Sequence, residues 1–408
     1  MKRLMFISFH TCPLSSPGVL DAGGLNVYVL HLAKELGKLG WAIDIFTKDH
    51  PGTKRKVINL KNNVRVIHLR VGNSLCTGKE KLAGQAEEFG QKIESFIKTQ
   101  TTEYRLIYAH YYLSGLVAEY LTTRMHTPFI LTFHTLGILK KIYGSEPNHE
   151  RIRLEKKLAA DALSIIVSTG LEKKALSDYY GVVESKINVI PPGVNTRLFH
   201  PRRQDISRSR LNLPLSRRII LFVGRIDPIK GLTNLVEAVH QLTRLHPDFE
   251  KEFLVLLVGG QTHSRYFWQQ PEVIKIKRMI ERKQLSCCVK FLGAKPHRQL
   301  ASYYPAADVV VLPSLYESFG LVIMEAMAAG AAVLASRVGG LGFLVEDGKT
   351  GLLFANKNRK QLREKLWRLL EDADLRKRLG KQATRSVRKL SWSRQAGQVS
   401  ALLHDLIK

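Results

Sequence analysis

Short apolar runs bounded by glycine, proline or polar residues recur along the chain and fix its first reading. In the first half they fall at Leu4–Ser8, Ala42–Phe46, Val64–Leu69, Leu106–Ala109, Phe129–Phe133, Leu163–Ser168 and Ile187–Ile190. The second half restarts with Ile219–Val223, Phe253–Val258, Val289–Leu292, Val309–Leu312 and Ala332–Ala335. Where such a run is continuously apolar, as at Val309–Leu312, it reads as a buried parallel strand. Helical patterns such as Val27–Leu39 lie between several of them, so right-handed crossovers and parallel sheets are expected. Pro191-Pro192-Gly193 closes the first set, and the polar, basic stretch His200–Ser216 reads as a linker. From Gln361 onward the pattern is helical and very basic, without a strand. The predicted fold is α/β, with two doubly wound, Rossmann-like domains (1–199 and 200–390) facing each other across a cleft.

A chain of 408 residues is long enough for two domains that each bury a core. Hydrophobic residues at 45% and charged residues at 24% fit an ordinary soluble protein. No apolar stretch approaches the ~20 residues needed to span a bilayer. The opening Met1–His10 places basic residues before apolar ones, but its apolar part is too short for a signal peptide and reads as the first strand. Cys12, Cys76, Cys287 and Cys288 show no metal-ligand spacing, so reduced cytoplasmic thiols are expected and no metal is assigned.

Charge changes the picture more. With 63 Lys and Arg against 35 Asp and Glu, the formal charge is +28, which favours anionic partners. Lys54–Arg70 carries basic residues and no acidic one. It is either a contact for the inner face of an anionic membrane or a solvated surface, and the second is favoured. Aromatic residues do not interleave with the basic runs, so nucleic acid is not expected as a partner. A homodimer is left open.

The most informative stretch runs from Pro313 to Glu325. Pro313 ends the apolar run Val309–Leu312 and a helical pattern begins near Gly320, so Glu317 lies at a strand's carboxyl end and Glu325 along the following helix. Ligands of open α/β sheets bind at that edge. A helix N-terminus there suits a phosphate, while the carboxylates suit hydroxyl groups. Arg225 and Lys230 follow the strand Ile219–Val223 and could straddle a pyrophosphate. Gly18 to Asn26, with Gly23-Gly24 before a helix, could admit an anion to backbone N–H groups. His134 and the triplet His110-Tyr111-Tyr112 follow two further strands. Alone, the cations and the histidines read more readily as structure, and the glycine turn reads either way. Asp372-Ala373-Asp374 reads as a helix cap, not a metal site.

Together these residues resemble the retaining GT-B glycosyltransferases of the Glu-x7-Glu class, glycosyltransferase family 4, which includes sucrose-phosphate synthase. Within it the chain is most similar to the D-inositol-3-phosphate glycosyltransferases of mycothiol synthesis. That similarity rests on His10-Thr11, Ser16-Pro17-Gly18, Asp21 to Tyr28, Lys79-Glu80, His110-Tyr111, Leu113-Ser114-Gly115 and His134-Thr135-Leu136. The resemblance implies catalytic roles for His134, Arg225, Lys230 and Glu317. It implies donor contacts from Ser16, Pro17, Gly24, Arg225, Lys230, Glu317, Ser318, Phe319, Gly320, Leu321 and Glu325. Acceptor contacts would come from His10, Asp21, Gly23, Gly24, Asn26, Lys79, Tyr111, Thr135 and Arg151. A UDP-sugar donor, a small phosphorylated acceptor and no required cofactor are also implied, as is a C-terminal helix at about 391–408 packing on the first domain. The chain departs from the family at Tyr112, where tryptophan is usual, and at Leu25, which replaces a methionine.

Overall fold

A computed structural model describes residues 2–15, 18, 22–50, 53, 55–72, 79–100, 102–144 and 148–408. Contacts divide the chain into two compact units. The first comprises Met1–Ser15, Gly24–Gly193 and Trp392–Lys408, and the second comprises Ser16–Gly23 and Val194–Ser391.

The first unit is built on one sheet. Its strands are β1 (Arg3–Ile7), β2 (Ala42–Lys48), β3 (Val57–Asn59), β4 (Val64–Leu69), β5 (Leu106–His110), β6 (Phe129–Thr132), β7 (Ser164–Val167) and β8 (Ile187–Val189). Their order is β3-β4-β2-β1-β5-β6-β7-β8, and only the β3–β4 pairing is antiparallel. The apolar runs become strands because both faces are covered: β2 and β5 are buried at every position. The chain builds outward from β1 to β2 and β4, then returns to β5 on the other side. The order therefore reverses beside β1, which opens a crevice at the carboxyl edge between β1 and β5. At the amino half of the sheet, the fully buried Asp44 carboxylate accepts hydrogen bonds from Arg3, Arg65 and Tyr104.

The helix Trp392–Leu406 belongs to this unit and packs on the helix Gly24–Lys38. Trp41 Nε1 donates to Ser400 Oγ at 2.9 Å, and the Trp392 ring stacks on His31 with centroids 5.1 Å apart.

The second unit repeats the plan with β9 (Arg218–Val223), β10 (Phe253–Val258), β11 (Val289–Phe291), β12 (Val309–Leu312), β13 (Val333–Ser336) and β14 (Leu352–Phe354). All pairings are parallel, in the order β11-β10-β9-β12-β13-β14. Here the reversal falls between β9 and β12. The expected helical segment resolves into Arg359–Glu371, Ala373–Val387 and Trp392–Leu406, and Asp372 Oδ1 caps the second by accepting from Leu375 N.

His200–Ser216 is not a plain linker. It contains the helix Gln204–Arg210, tied into the second unit by a buried charge. Arg208 Nη2 and Asp308 Oδ2 stand 2.6 Å apart, each side chain only 6% exposed. Arg208 also donates to the carbonyls of Ala306, Leu215 and Arg217, while Asp308 accepts from Ile219 N. A helix held by one buried arginine has little apolar periodicity, so its pattern resembles a loop. Removing one partner of such a pair costs about 3–5 kcal/mol, because the other charge stays buried. Asp308→Ala should therefore lower the unfolding free energy of the second unit by about that amount in a denaturant titration. A loss below about 1 kcal/mol would show that apolar packing, not this pair, orders the helix.

Candidate functional site

In the second unit, the segments leaving β9 and β12 are stitched together by backbone. Leu315 N donates to Ile229 O at 2.7 Å. Gly231, at φ +65°, approaches so closely that a Cβ there would run into the Pro313 carbonyl oxygen. Asp227 Oδ1 caps the single turn Pro228–Lys230 by accepting from Ile229 N at 3.0 Å. This turn carries Lys230 toward the loop after β12, where its Nζ meets Glu317 Oε2 at 2.5 Å. Both side chains are 18% exposed, so the pair is largely desolvated yet open on one side. An ammonium has three donors, and Glu317 engages one.

Arg225 lies on the same β9 exit, with Nη2 3.2 Å from Asp227 Oδ2. Glu317 is held from behind, since its carbonyl accepts from Gly340 N at 2.9 Å. Gly339, at φ +47°, leaves no room for a Cβ against that carbonyl. Gly320, at φ +93°, turns the chain into the helix Leu321–Ala328, whose first turn follows directly on Ser318 and Phe319. Glu325 sits deeper on that helix. Its Oε2 accepts from Tyr304 Oη at 2.8 Å, and its Oε1 faces His297 Nε2 at 3.6 Å. Burial raises the Glu325 pKa, with His297 and Tyr304 opposing the shift.

In the first unit, aromatic and cationic groups gather at the exits of β1, β5 and β6. Tyr111 and His134 take positive φ, +78° and +60°, immediately after β5 and near the end of β6. Non-glycine residues rarely adopt this conformation, and where they do it commonly marks a site. His110 Nδ1 and His134 Nε2 stand 3.3 Å apart, and the His10 ring lies 4.6 Å from that of Tyr111. Arg151 reaches the group from its own helix, His149–Asp161. Its guanidinium lies 5.0 Å over the Tyr111 ring and 5.2 Å over that of Tyr112. Nη2 donates to Thr135 O at 2.6 Å and Thr135 Oγ1 at 3.0 Å, and Nε to Glu155 Oε1 at 2.7 Å. Burial opposes the Arg151 charge, but Glu155 together with Tyr111 and Tyr112 more than offsets it and holds the guanidinium above its usual range.

Thus His10, Tyr111, His134, Thr135 and Arg151 come together in one unit, and Arg225, Lys230 and Glu317 share the reversal edge of the other. Asn26 is turned inward: its amide nitrogen donates to Thr11 Oγ1 at 2.7 Å and to the Cys12 carbonyl. Gly24 opens the helix that carries Asn26, directly after Gly23. Ser16, Pro17 and Asp21 lie outside the described residues, as does the side chain of Lys79. Glu155, Tyr304, His297 and the Gly339-Gly340 pair went unread in the sequence. Only the glycine pair, after an apolar strand, offered a signal.

Two doubly wound units, each with ligand chemistry at its reversal edge, define the GT-B class of glycosyltransferase. Residues 22–198 match the family model described as Glycosyltransferase Family 4, and residues 203–386 match Glycosyl transferases group 1. The D-inositol 3-phosphate glycosyltransferase of Corynebacterium glutamicum (strain R) is 36% identical over 412 residues, covering 99% of this chain and 97% of that protein. Its counterpart in Nocardioides sp. is 33% identical, covering 98% and 88%. Sucrose-phosphate synthase from Thermosynechococcus elongatus superposes with a TM-score of 0.91 at 33% identity, covering 100% of this chain and 99% of that one. Anabaena HepE in complex with UDP-glucose, at a TM-score of 0.77 and 21% identity, shares the fold. The chain belongs to glycosyltransferase family 4 and is a nucleotide-sugar-dependent hexosyltransferase.

The paired imidazoles of His110 and His134 both resist protonation. Burial, with His134 adding to it, drives His110 well below the ordinary range, and burial lowers His134 to about 3. Unfolded imidazoles take up a proton near pH ~6.5, whereas the folded ones do so only at lower pH. Protons therefore favour the unfolded chain as pH falls from about 6.5 toward 3, and stability declines across that window. His134→Asn keeps a residue type that tolerates positive φ and removes one such group. Its urea midpoint should fall less steeply with acidification than that of the parent. Equal slopes would mean that His134 carries a proton in the fold.

Proposed function

We propose that the protein moves a hexosyl group, N-acetylglucosamine or glucose, from its UDP form to a small phosphorylated polyol with retention of configuration. Lys230 is the observation that carries this proposal: a half-hidden ammonium, fixed by Glu317, with donors left for a diphosphate. As the C1–O bond to the donor phosphate breaks, its electron pair passes to the β-phosphate oxygen. Arg225, Lys230 and the helix N-terminus after Gly320 stabilise the charge that develops there. Glu317 accepts from the sugar hydroxyls, and Glu325 offers Oε1 to the ribose. Ser318, Phe319, Gly320 and Leu321 line the donor, with Ser16, Pro17 and Gly24 completing it.

The acceptor hydroxyl attacks from the face the leaving phosphate vacates and gives its proton to that phosphate. His134, uncharged, orients the donor sugar by a hydrogen bond and is not an acid. The acceptor phosphate is taken by Lys79 and Arg151 with the Gly23–Asn26 turn, and its polyol by His10, Asp21, Tyr111 and Thr135. No cofactor beyond the donor enters this scheme, and the reaction is assigned to the cytoplasm. The division of labour follows the domain bounds 1–199 for the acceptor and 200–390 for the donor.

Inositol 3-phosphate is favoured as acceptor by identity to enzymes that bear its name. Fructose 6-phosphate is the second candidate, because the fold and sequence match sucrose-phosphate synthase over the whole chain. UDP release should be measured with UDP-glucose and UDP-N-acetylglucosamine against both acceptors, with phosphatidylinositol vesicles as the membrane-bound alternative. One soluble phosphorylated acceptor should stimulate release, and its dephosphorylated form should not; equal rates with both forms would remove the phosphate from the assignment. With the best pair, Lys230→Ala should cost about 10²- to 10³-fold in kcat while the circular dichroism spectrum stays unchanged. Turnover within a factor of two of the parent would refute charge stabilisation by Lys230.

A further inference from the structure

The exits of β1, β2 and β4 hold a second cluster that the glycosyl transfer does not use. Cys12 follows β1, His50 lies two residues past β2, and His68 is the penultimate residue of β4. β2 separates the other two strands in the sheet order, so residues far apart in sequence meet at one edge. Cys12 Sγ and His68 Nε2 stand 3.2 Å apart, and both residues are buried, at 3% and 5% exposure. The exposed His50 completes the set, with one ligand atom of each residue lying within 4.8 Å of the others. The His50 and His68 rings stand nearly perpendicular, with centroids 5.9 Å apart.

We propose that Cys12, His50 and His68 form a binding site for one divalent ion of the zinc class, with an open fourth position on the solvent side. Thiolate and imidazole are the ligand types that select such ions over magnesium or calcium. Bonds of ~2.0–2.3 Å to a tetrahedral ion place ligand atoms roughly 3.3–3.6 Å apart. The Cys12–His68 spacing is already near this value, and a small turn of the exposed His50 side chain closes the rest. The backbone prearranges the set. Phe9 O accepts from Lys48 N, Asp49 N donates to Leu69 O, and His50 N donates to Thr53 Oγ1. Leu14 N points at Cys12 Sγ from 3.4 Å, an outer-shell donor suited to a thiolate.

A second observation favours an ion. Asp49 Oδ1 is shielded from solvent and has no hydrogen-bond partner among the described residues, and its charge acts on His68. A cation between the histidines would give that oxygen a compensating charge. As the metal–sulfur bond forms, the thiol releases its proton to solvent. The ion would lock the loop after β1, whose Cys12 carbonyl already receives the Asn26 amide.

The test uses the full chain, tag removed, stripped by chelator and kept reduced, titrated with Co²⁺ alone. A near-ultraviolet thiolate-to-cobalt band saturating at one ion per chain, bleached by Zn²⁺, is expected. Cys12→Ser should abolish the band, His50→Ala should weaken binding at least about 10-fold, and Cys287→Ser should change nothing. No saturable band, or a band that survives Cys12→Ser, overturns the site. If Cys12→Ser does not fold, His50→Ala decides, and unchanged affinity in that variant overturns the site equally. None of these readouts requires an acceptor or a donor sugar, so failure here leaves the transferase assignment untouched.

Discussion

A parallel sheet that grows in both directions from one strand leaves a notch at its carboxyl edge, and the ligand chemistry of this protein depends on that constraint. Both sheets grow this way, from β1 in the first unit and from β9 in the second. The exits flanking each notch carry Lys230 and Glu317 in one case and His10 and Tyr111 in the other, with His134 added from the adjoining β6. The opposite edge does different work. There Asp308 gathers Arg208 and the backbone of Ile219. Cohesion and chemistry thus occupy opposite ends of the same strands.

Within the second notch, position is set by backbone before charge contributes. Gly231 and Gly339 let two carbonyls approach closer than any Cβ permits, and these approaches seat the turns bearing Lys230 and Glu317. An ion pair between two long side chains at an exposed site would contribute little. On turns already fixed, the side chains have few other places to go, and the entropy of holding them is spent in folding. The first notch uses rare backbone geometry for the same end. Two non-glycine residues at positive φ aim a phenol ring and an imidazole that ordinary strand ends would splay apart.

Much of this was legible in the residues themselves. Apolar runs predicted the long central strands because burial on both faces leaves an unbroken signature, as at β10 and along β9 after Arg218. The three-residue edge strands β3 and β14 escaped, whereas the equally short β8 and β11 were read. The helix Gln204–Arg210 escaped because a buried arginine, not an apolar stripe, holds it. That Lys230 and Glu317 lie at two strand exits was readable; that they pair with each other was not. The inward turn of Asn26 was not, because its partners Thr11 and Cys12 lie on a loop whose path no periodicity describes. Cys12, His50 and His68 are invisible as a motif for a similar reason. Their spacing follows sheet order, and sequence-spacing rules register only ligands carried on one hairpin or helix.

The helix Trp392–Leu406 gives the chain an unusual itinerary. The first unit is interrupted by Val194–Ser391 of the second and recovers the helix Trp392–Leu406 only after it. During synthesis the face of Gly24–Lys38 that receives Trp392 and the indole of Trp41 that meets Ser400 must therefore wait, uncovered, until the helix Trp392–Leu406 has been made. The later-made unit can finish while the earlier-made one is still incomplete. A nascent chain stalled before this helix would present that apolar face to chaperones or to other stalled chains, which makes the synthesis of Val194–Ser391 the interval of greatest risk for the first unit.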